Sequence, residues 1–425
     1  MKQQHKLQPK LRFPEFEGDW NVFKFNDLYE FKSTNSLSRD KLNYENCNVK
    51  NIHYGDIHVK FKTLFDITKE NVPYINEEID LSRITEDNYL KEGDVIIADA
   101  SENYDDIGKA IEVINLNNEK VLSGLHTFLA RKISDLNYNG FISYVFKTKI
   151  YRHQIYKIAQ GTKVLSLSSN RVANLNLNIP SLPEQQKIAD YLATVDDKIN
   201  LLADKKEQLT LYKKAMMQKL FTQEIRFKDN NGKDFPEWEE KRLGEIAKKM
   251  QSGGTPKASN RDYYIDGTIP FLSISDITEQ GKYLTYAKKT INKRGIENSS
   301  SWIVPINSLI YSMYASVGFV TINKIEIATS QAVMNIILKE NDSLEYIYYY
   351  LTYFKKFINR FIETGTQGNI NAEIVKNIKL PYPSLPEQQK IANFLSVLDE
   401  SIEKVNEQIS QTQSFKKAML QQLFV

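Results

Sequence analysis

Ser181–Thr222 reads SLPEQQKIADYLATVDDKINLLADKKEQLTLYKKAMMQKLFT, and Ser384–Val425 reads SLPEQQKIANFLSVLDESIEKVNEQISQTQSFKKAMLQQLFV. The two align without a gap at an offset of 203, with 20 identities in 42 positions, too many for chance. Repetition on this scale organises the whole chain. Each stretch opens on S-x-x-E, Ser181 to Glu184 and Ser384 to Glu387, which predicts a capping box. Pro183 and Pro386 sit in the first turn, where a missing N–H costs nothing. Apolar residues then recur at alternating spacings of four and three. In the first copy they are Ile188, Leu192, Val195, Ile199 and Leu202, then Leu209, Met216 and Leu220, with Lys206 and Lys213 in the gaps. In the second they are Ile391, Leu395, Leu398, Ile402 and Val405, then Ile409, Met419 and Leu423. This is the seam of a coiled coil.

Two such stripes in one chain are expected to bury each other. The segment between them joins the end of the first helix to the start of the second, which predicts an antiparallel pair. Pro183 to Phe221 would span ~58 Å at ~1.5 Å per residue. Antiparallel helices also bring Val425 back toward the start of the chain.

The repeat continues upstream, more weakly. Phe13-Pro14-Glu15-Phe16 answers Phe235-Pro236-Glu237-Trp238, and Tyr54-Gly55-Asp56-Ile57 answers Ile274-Ser275-Asp276-Ile277. Asp94–Ile97 precedes Gly108 as Ser308–Tyr311 precedes Gly318. Short apolar runs between Gly, Asn and Asp read as strands and turns, with helix candidates at 141–159 and 344–362. The expected class is mixed α/β, in the α+β sense. Two pseudo-repeated globular domains, 1–180 and 224–383, are separated by long antiparallel coiled-coil helices at 181–223 and 384–425.

Composition narrows the chemistry. With 56 basic and 53 acidic residues the net charge is +3, so DNA binding would need local patches or a partner's help. The single cysteine, Cys47, excludes a disulfide framework and a multi-cysteine zinc site. No apolar run reaches the ~18 residues of a membrane span, and MKQQHKLQPKLR lacks the apolar core of a signal peptide, so a cytoplasmic protein is expected. No phosphate loop, dinucleotide fingerprint, H-E-x-x-H or amino-methyltransferase loop appears. Asp234, Glu239 and Lys241 read as a solvated linker, His53 and His58 as ordinary structural residues, and Asp99, Glu102, Asp105 and Asp106 as a solvated acidic loop. No metal site and no catalytic centre is expected.

The chemistry-bearing residues are instead in polar loops that occur in both copies. In the second domain, GGTPKASNRDYYIDGTIPF supplies Thr255, Lys257, Asn260, Arg261 and Tyr263, types that contact phosphates and base edges. The first domain's counterpart supplies Lys32, Ser33, Asn35, Arg39 and Lys41. A second loop before each long helix supplies Lys163, Asn170 and Arg171 in one copy and Gln367, Asn369 and Asn371 in the other.

The doubled LPEQQKIA helix, the GGTP opening, the ISDI segment and the GTQGNI loop resemble the specificity subunit of a type I restriction–modification enzyme, over essentially the whole chain. The first domain departs from that pattern, with no GGTP and a loop reading GTKVLSLSSN. The resemblance implies two target recognition domains, each reading one half of a split double-stranded DNA target. It implies helices that act as spacer and dock two methyltransferase subunits. Those partners would bind S-adenosylmethionine and methylate adenine N6 on a flipped base. Motor–nuclease subunits would bring ATP and Mg, and this chain would hold none of these cofactors. Other readings of the same residues are a specificity chain for a standalone or type II-like modification enzyme, a DNA-independent coiled-coil adaptor, and a nuclease with an unrecognised site.

Overall fold

A computed structural model describes residues 7–45, 47–361 and 369–425. The chain divides into two units, Met1–Leu202 with Gln408–Val425, and Ala203–Glu407. Each unit holds one globular domain and half of each long helix.

The long helices are Leu182–Phe221, 40 residues, and Leu385–Gln422, 38 residues. Within each unit their segments run antiparallel. In unit 1 Asp196 pairs with Lys416, and in unit 2 Lys213 pairs with Asp399 and Lys206 donates to Asn406 at 2.6 Å. The lysines that interrupt the apolar stripe thus meet acceptors on the facing helix. The stripe itself is divided in its packing. Ile188, Leu192 and Val195 are buried in unit 1, and Ile391, Leu395, Leu398 and Val405 in unit 2, whereas Ile199, Leu202 and Ile402 are half-buried. The helix ends bury their apolar faces in the domains rather than only in each other. Ile188, Leu192, Leu423 and Phe424 join the unit 1 core, and Leu220, Phe221, Ile391 and Leu395 join that of unit 2. Phe424 lies between Trp20 and Phe141, with ring centroids at 6.0 and 5.5 Å. Each such side chain contributes about 1.5–3 kcal/mol of burial.

The expected capping boxes do not form. Ser384 Oγ is buried without a hydrogen-bond partner, and Glu184 and Glu387 turn away from the helix start toward arginines. A two-pronged charged pair outcompetes a neutral cap bond.

Each domain is built on two larger sheets, with two-stranded pairs beside them. The five-stranded sheet of unit 1 runs Tyr29–Lys32, Thr127–Lys132, Val95–Ala98, Ala110–Asn115, Leu64–Asp66 in spatial order. That of unit 2 runs Ala247–Ser252, Val333–Leu338, Leu309–Ser312, Val320–Asn323, Tyr283–Leu284. In both, every neighbour is antiparallel except the last pair. A smaller four-stranded sheet stands beside each, centred in part on Lys50–Ile52 and Ile269–Leu272. Each of those strands runs into a short helix, Tyr54–Val59 or Ile274–Gln280, carrying a fully buried aspartate, Asp56 or Asp276.

The helix expected at 141–159 is broken into Ile142–Val145 and Lys149–Ile158, because the Thr148 hydroxyl accepts from Tyr151 N and starts a new helix. The one expected at 344–362 is α-helical over Leu344–Phe354 and continues as a tighter helix over Lys355–Phe361; residue 362 lies outside the described residues.

Candidate nucleic-acid interface

The LPEQQ signature fastens each domain to its helix. Glu184 receives Arg12 through two bonds, Nε to Oε1 at 2.8 Å and Nη2 to Oε2 at 2.7 Å, and Trp20 Nε1 at 3.4 Å. Glu387 receives Arg226 at 3.1 and 3.0 Å and Trp238 Nε1 at 2.8 Å. The next residue, Gln185, accepts from Tyr138 N and donates to Pro180 O, as Gln388 accepts from Ser343 N and donates to Pro383 O.

These contacts correct the upstream alignment. Trp20, not Phe16, answers Trp238, and Arg12-Phe13 answers Arg226-Phe227. Phe13 packs on Tyr191 as Phe227 packs on Phe394. Arg12 also donates to the carbonyls of Glu17 and Gly18, as Arg226 does to Phe235 and Pro236. Four extra residues in the second copy form a turn closed by a Lys228–Asp234 bridge, and the FPE similarity falls across it.

A second fastener lies deeper. In unit 1 Tyr144 Oη donates to Asp196 Oδ2 at 3.0 Å and Lys416 binds the other oxygen, its Nζ 5.3 Å from the Tyr144 ring centre. In unit 2 Tyr349 Oη donates to Asp399 Oδ2 at 2.6 Å and Lys213 binds the other oxygen, 5.1 Å from the Tyr349 ring centre. One carboxylate therefore ties the domain to both long helices, twice.

On this support the expected contact residues divide into two groups. Several are occupied by the fold. Lys32 pairs with Glu30 at 2.7 Å, Arg39 with Asp56 at 2.8 Å and Lys41 with Asp40 at 3.3 Å. The Ser33 carbonyl accepts from Asn88. Asn35 bridges Asn51 and the Ser123 carbonyl. Asn260 caps the turn at Asp262, Asn371 caps Ala372–Lys376, and Arg171 donates to the Ile158 carbonyl. Others face solvent. Lys163, Asn170, Thr255, Lys257 and Arg261 are exposed, and Tyr263 and Asn369 half-buried. Gln367 lies outside the described residues.

The two loops of each domain converge through a corner that the sequence patterns do not announce. In unit 1 Asn35 N donates to Ser123 O at 3.1 Å, Asp99 N to His126 O at 3.1 Å, and Leu167 N to Asp99 O at 2.8 Å. In unit 2 Gly254 N donates to Thr329 O at 3.0 Å, Met313 N to Ala332 O at 2.9 Å, and Ile370 N to Met313 O at 3.1 Å. First loop, strand corner, central strand end and second loop thus follow one another in the same order. Close packing here demands glycine. A Cβ on Gly253 would lie 1.9 Å from Thr329 O, and one on Gly124 2.3 Å from Asn51 Nδ2. The corners carry His126 and Gln331, both exposed. Neither is in a motif, so spacing alone could not single them out.

Several of the acidic and histidine groups have local partners, whereas His58 Nε2 is buried without a hydrogen-bond partner. Asp106 binds Asn103 and Lys109, Asp99 binds His126, and His53 Nδ1 accepts from Gly55 N, with burial pushing the His53 pKa down. Lys241 pairs with Glu239 at 3.1 Å. Among the described residues no group of three or more His, Cys, Asp or Glu is placed to hold a metal, and no helix is long and apolar enough to cross a membrane.

Comparison with known proteins agrees with this layout. Residues 17–211 and 236–412 match the family described as Type I restriction modification DNA specificity domain. A Methanocaldococcus jannaschii protein named as the MjaX specificity subunit of a type I restriction enzyme is 26% identical over 425 residues, covering 97% of this chain and 94% of that protein. The HindI specificity subunit of Haemophilus influenzae is 24% identical over 328 residues, covering 60% of this chain and 71% of that one. The crystal structure of the type I S subunit from M. genitalium shares the fold, with a TM-score of 0.58 and 15% identity over 98% of this chain and 99% of that one. The chain belongs to the type I restriction–modification DNA specificity family, as a specificity subunit with two target recognition domains.

Proposed function

We propose that each domain reads one half of a bipartite, asymmetric DNA target through its converging loops. Residues 1–180 and 224–383 are the reading domains. Residues 181–223 and 384–425 are the spacer on which two methyltransferase subunits dock. The chain itself is non-catalytic and works in the cytoplasm. S-adenosylmethionine belongs to the methyltransferase partners, ATP and Mg to the motor–nuclease partners. Lys163, Lys257 and Arg261 supply phosphate or guanine contacts, and Asn369, Tyr263 and Thr255 polar contacts to bases or backbone.

The same loop assembly stands on the same pair of fasteners twice, with different side chains at the corner each time. A scaffold repeated under two unlike surfaces suits two unlike half-sites. The small net charge suits a chain whose partners share the phosphate contacts.

The test is a binding titration of the purified chain, in complex with its methyltransferase subunits, against DNA libraries at fixed salt. The expected result is selection of two short sequences separated by an unread gap. Exchanging residues 224–383 for those of another specificity chain should replace one half-site and keep the other. Binding with no sequence preference would reject the proposal in favour of an adaptor.

A further inference from the structure

We propose that His126 is a base-reading residue of the first target recognition domain, presented by Asp99, Tyr54 and a left-handed turn of its own backbone. The inference rests on the reading that the converging loops face DNA, and deepens it by naming a reader outside the polar loops.

His126 lies at the corner between Val121–Ser123 and Thr127–Lys132. Its φ is 54°, a region that side-chain-bearing residues visit rarely and that glycine occupies freely. The surroundings hold it there. Its carbonyl accepts from Asp99 N at 3.1 Å, and Gly124, two residues earlier, is pressed against Asn51 and the Ile52 carbonyl. The ring is held as firmly. Nδ1 lies 3.3 Å from Asp99 Oδ1, and the Tyr54 ring meets the imidazole edge-on at 5.3 Å and 84°. The imidazole nevertheless leaves half of its side chain exposed, 50% against 23% for Asp99. A side chain fixed by its neighbours and open at its far edge has little freedom left to lose on binding.

The chemistry follows from the tautomer. In the neutral imidazole a carboxylate at Nδ1 places the proton there, which leaves Nε2 as the acceptor. That acceptor suits the exocyclic amino group of adenine or cytosine. In the second domain Ala332 takes the position of His126, and the exposed polar side chain at that corner is Gln331, one residue earlier, whose Oε1 accepts from Thr255 Oγ1 at 2.8 Å. Glutamine presents a donor and an acceptor together, the pattern that pairs with adenine. Corresponding corners that carry different polar side chains, at positions one residue apart, suit two different half-sites.

The test uses the full chain in complex with its methyltransferase subunits, scored by binding competition over every single-base change in the selected target. His126→Gly removes the ring while leaving a backbone that prefers the left-handed turn, so folding is preserved. It should relax selection at one position of one half-site by about tenfold or more, with the other half-site and the salt dependence unchanged. Asp99→Asn should relax the same position by less. Arg261→Ala is measured in parallel. If it alters one half-site while His126→Gly alters neither, the loops read DNA and His126 is not a reader. If neither variant changes selection, the loop reading fails and the inference falls with it. A uniform loss across all sequences, with a shallower salt slope, would make His126 a phosphate contact and overturn the proposal.

Discussion

At the junctions the two units repeat the same side chains; at the loop corners they do not. Glu184 and Glu387 each hold an arginine and a tryptophan, and Asp196 and Asp399 each hold a tyrosine and a lysine. The corners carry His126 against Asp99 in one unit and Gln331 against Thr255 in the other. The difference separates what is geometrically repeated, the attachment of a domain to a helix, from what varies, the surface proposed to meet the target.

The junctions also differ in one respect. In unit 2 Lys282 donates to Tyr349 Oη and to Ser396 Oγ, both at 2.9 Å. Unit 1 has Thr63 in place of Lys282, each one residue before the strand at the parallel edge of the large sheet. It has Ala193 in place of Ser396. The space opens as a cavity of about 370 Å³ lined by Thr63, Ala193, Asp196 and Lys147. Unit 1 is therefore the more loosely fastened.

The comparison breaks most easily at the outer fastener. Glu184→Ala removes the acceptor of two charged Arg12 bonds and of the Trp20 indole, leaving Arg12 only the Glu17 and Gly18 carbonyls, and a loss of about 3 kcal/mol or more is expected. Hydrogen exchange should show unit 1 losing protection while unit 2 keeps it, and Glu387→Ala should do the reverse. Equal loss in both units from either change would mean that the units do not unfold independently.

Glu112 offers the next largest effect, and it exists in one unit only. Its carboxylate is fully buried, accepts from Gly140 N and Ser143 N, and has its pKa pushed by burial from 4.5 to about 7. Ile322 stands in the matching place in unit 2. A group whose folded pKa is raised contributes stability that is complete below about pH 4.5 and is lost as pH rises through about 7. That loss is roughly 3 kcal/mol. Glu112→Gln should flatten the pH profile of unit 1 over that window and leave unit 2 unchanged.

Asp196→Asn should cost more than Asp399→Asn, since Lys282 still ties Tyr349 to the helix in unit 2. Both lie within about 1–3 kcal/mol, the range for a charged hydrogen bond lost from a partly buried site. Thermal unfolding followed by exchange in each unit orders them. The smallest effect is a gain. Thr63→Lys with Ala193→Ser and Lys147→Thr copies the unit 2 junction into unit 1 and should add about 1 kcal/mol. No change would show that the cavity is tolerated at no cost.

Periodicity made the scaffold legible in advance, and local chemistry hid the rest. The seam from Ile188 to Leu202 and from Ile391 to Val405 announced two helices, because a 4-3 spacing survives any tertiary context. The capping boxes were misread because Arg12 and Arg226, far away in sequence, claim the glutamates. The Phe16–Trp238 match was misread because a four-residue turn shifts the register between Arg226 and Trp238. At the candidate site the polar loops were legible from composition. Their occupancy was not, since Asp56, which holds Arg39, sits on another element. His126 was invisible because the contacts that hold its ring, from Asp99 and Tyr54, come from segments distant in sequence.

Two unlike surfaces on one repeated scaffold should read two unlike half-sites. A map of N6-methyladenine in DNA from cells expressing this chain with its methyltransferase subunits tests it most directly. The expected map shows a single motif of two different short sequences separated by a fixed, unread gap, with one half changed when residues 224–383 are exchanged. A continuous motif, a perfect palindrome, or a change in both halves on that exchange would contradict it.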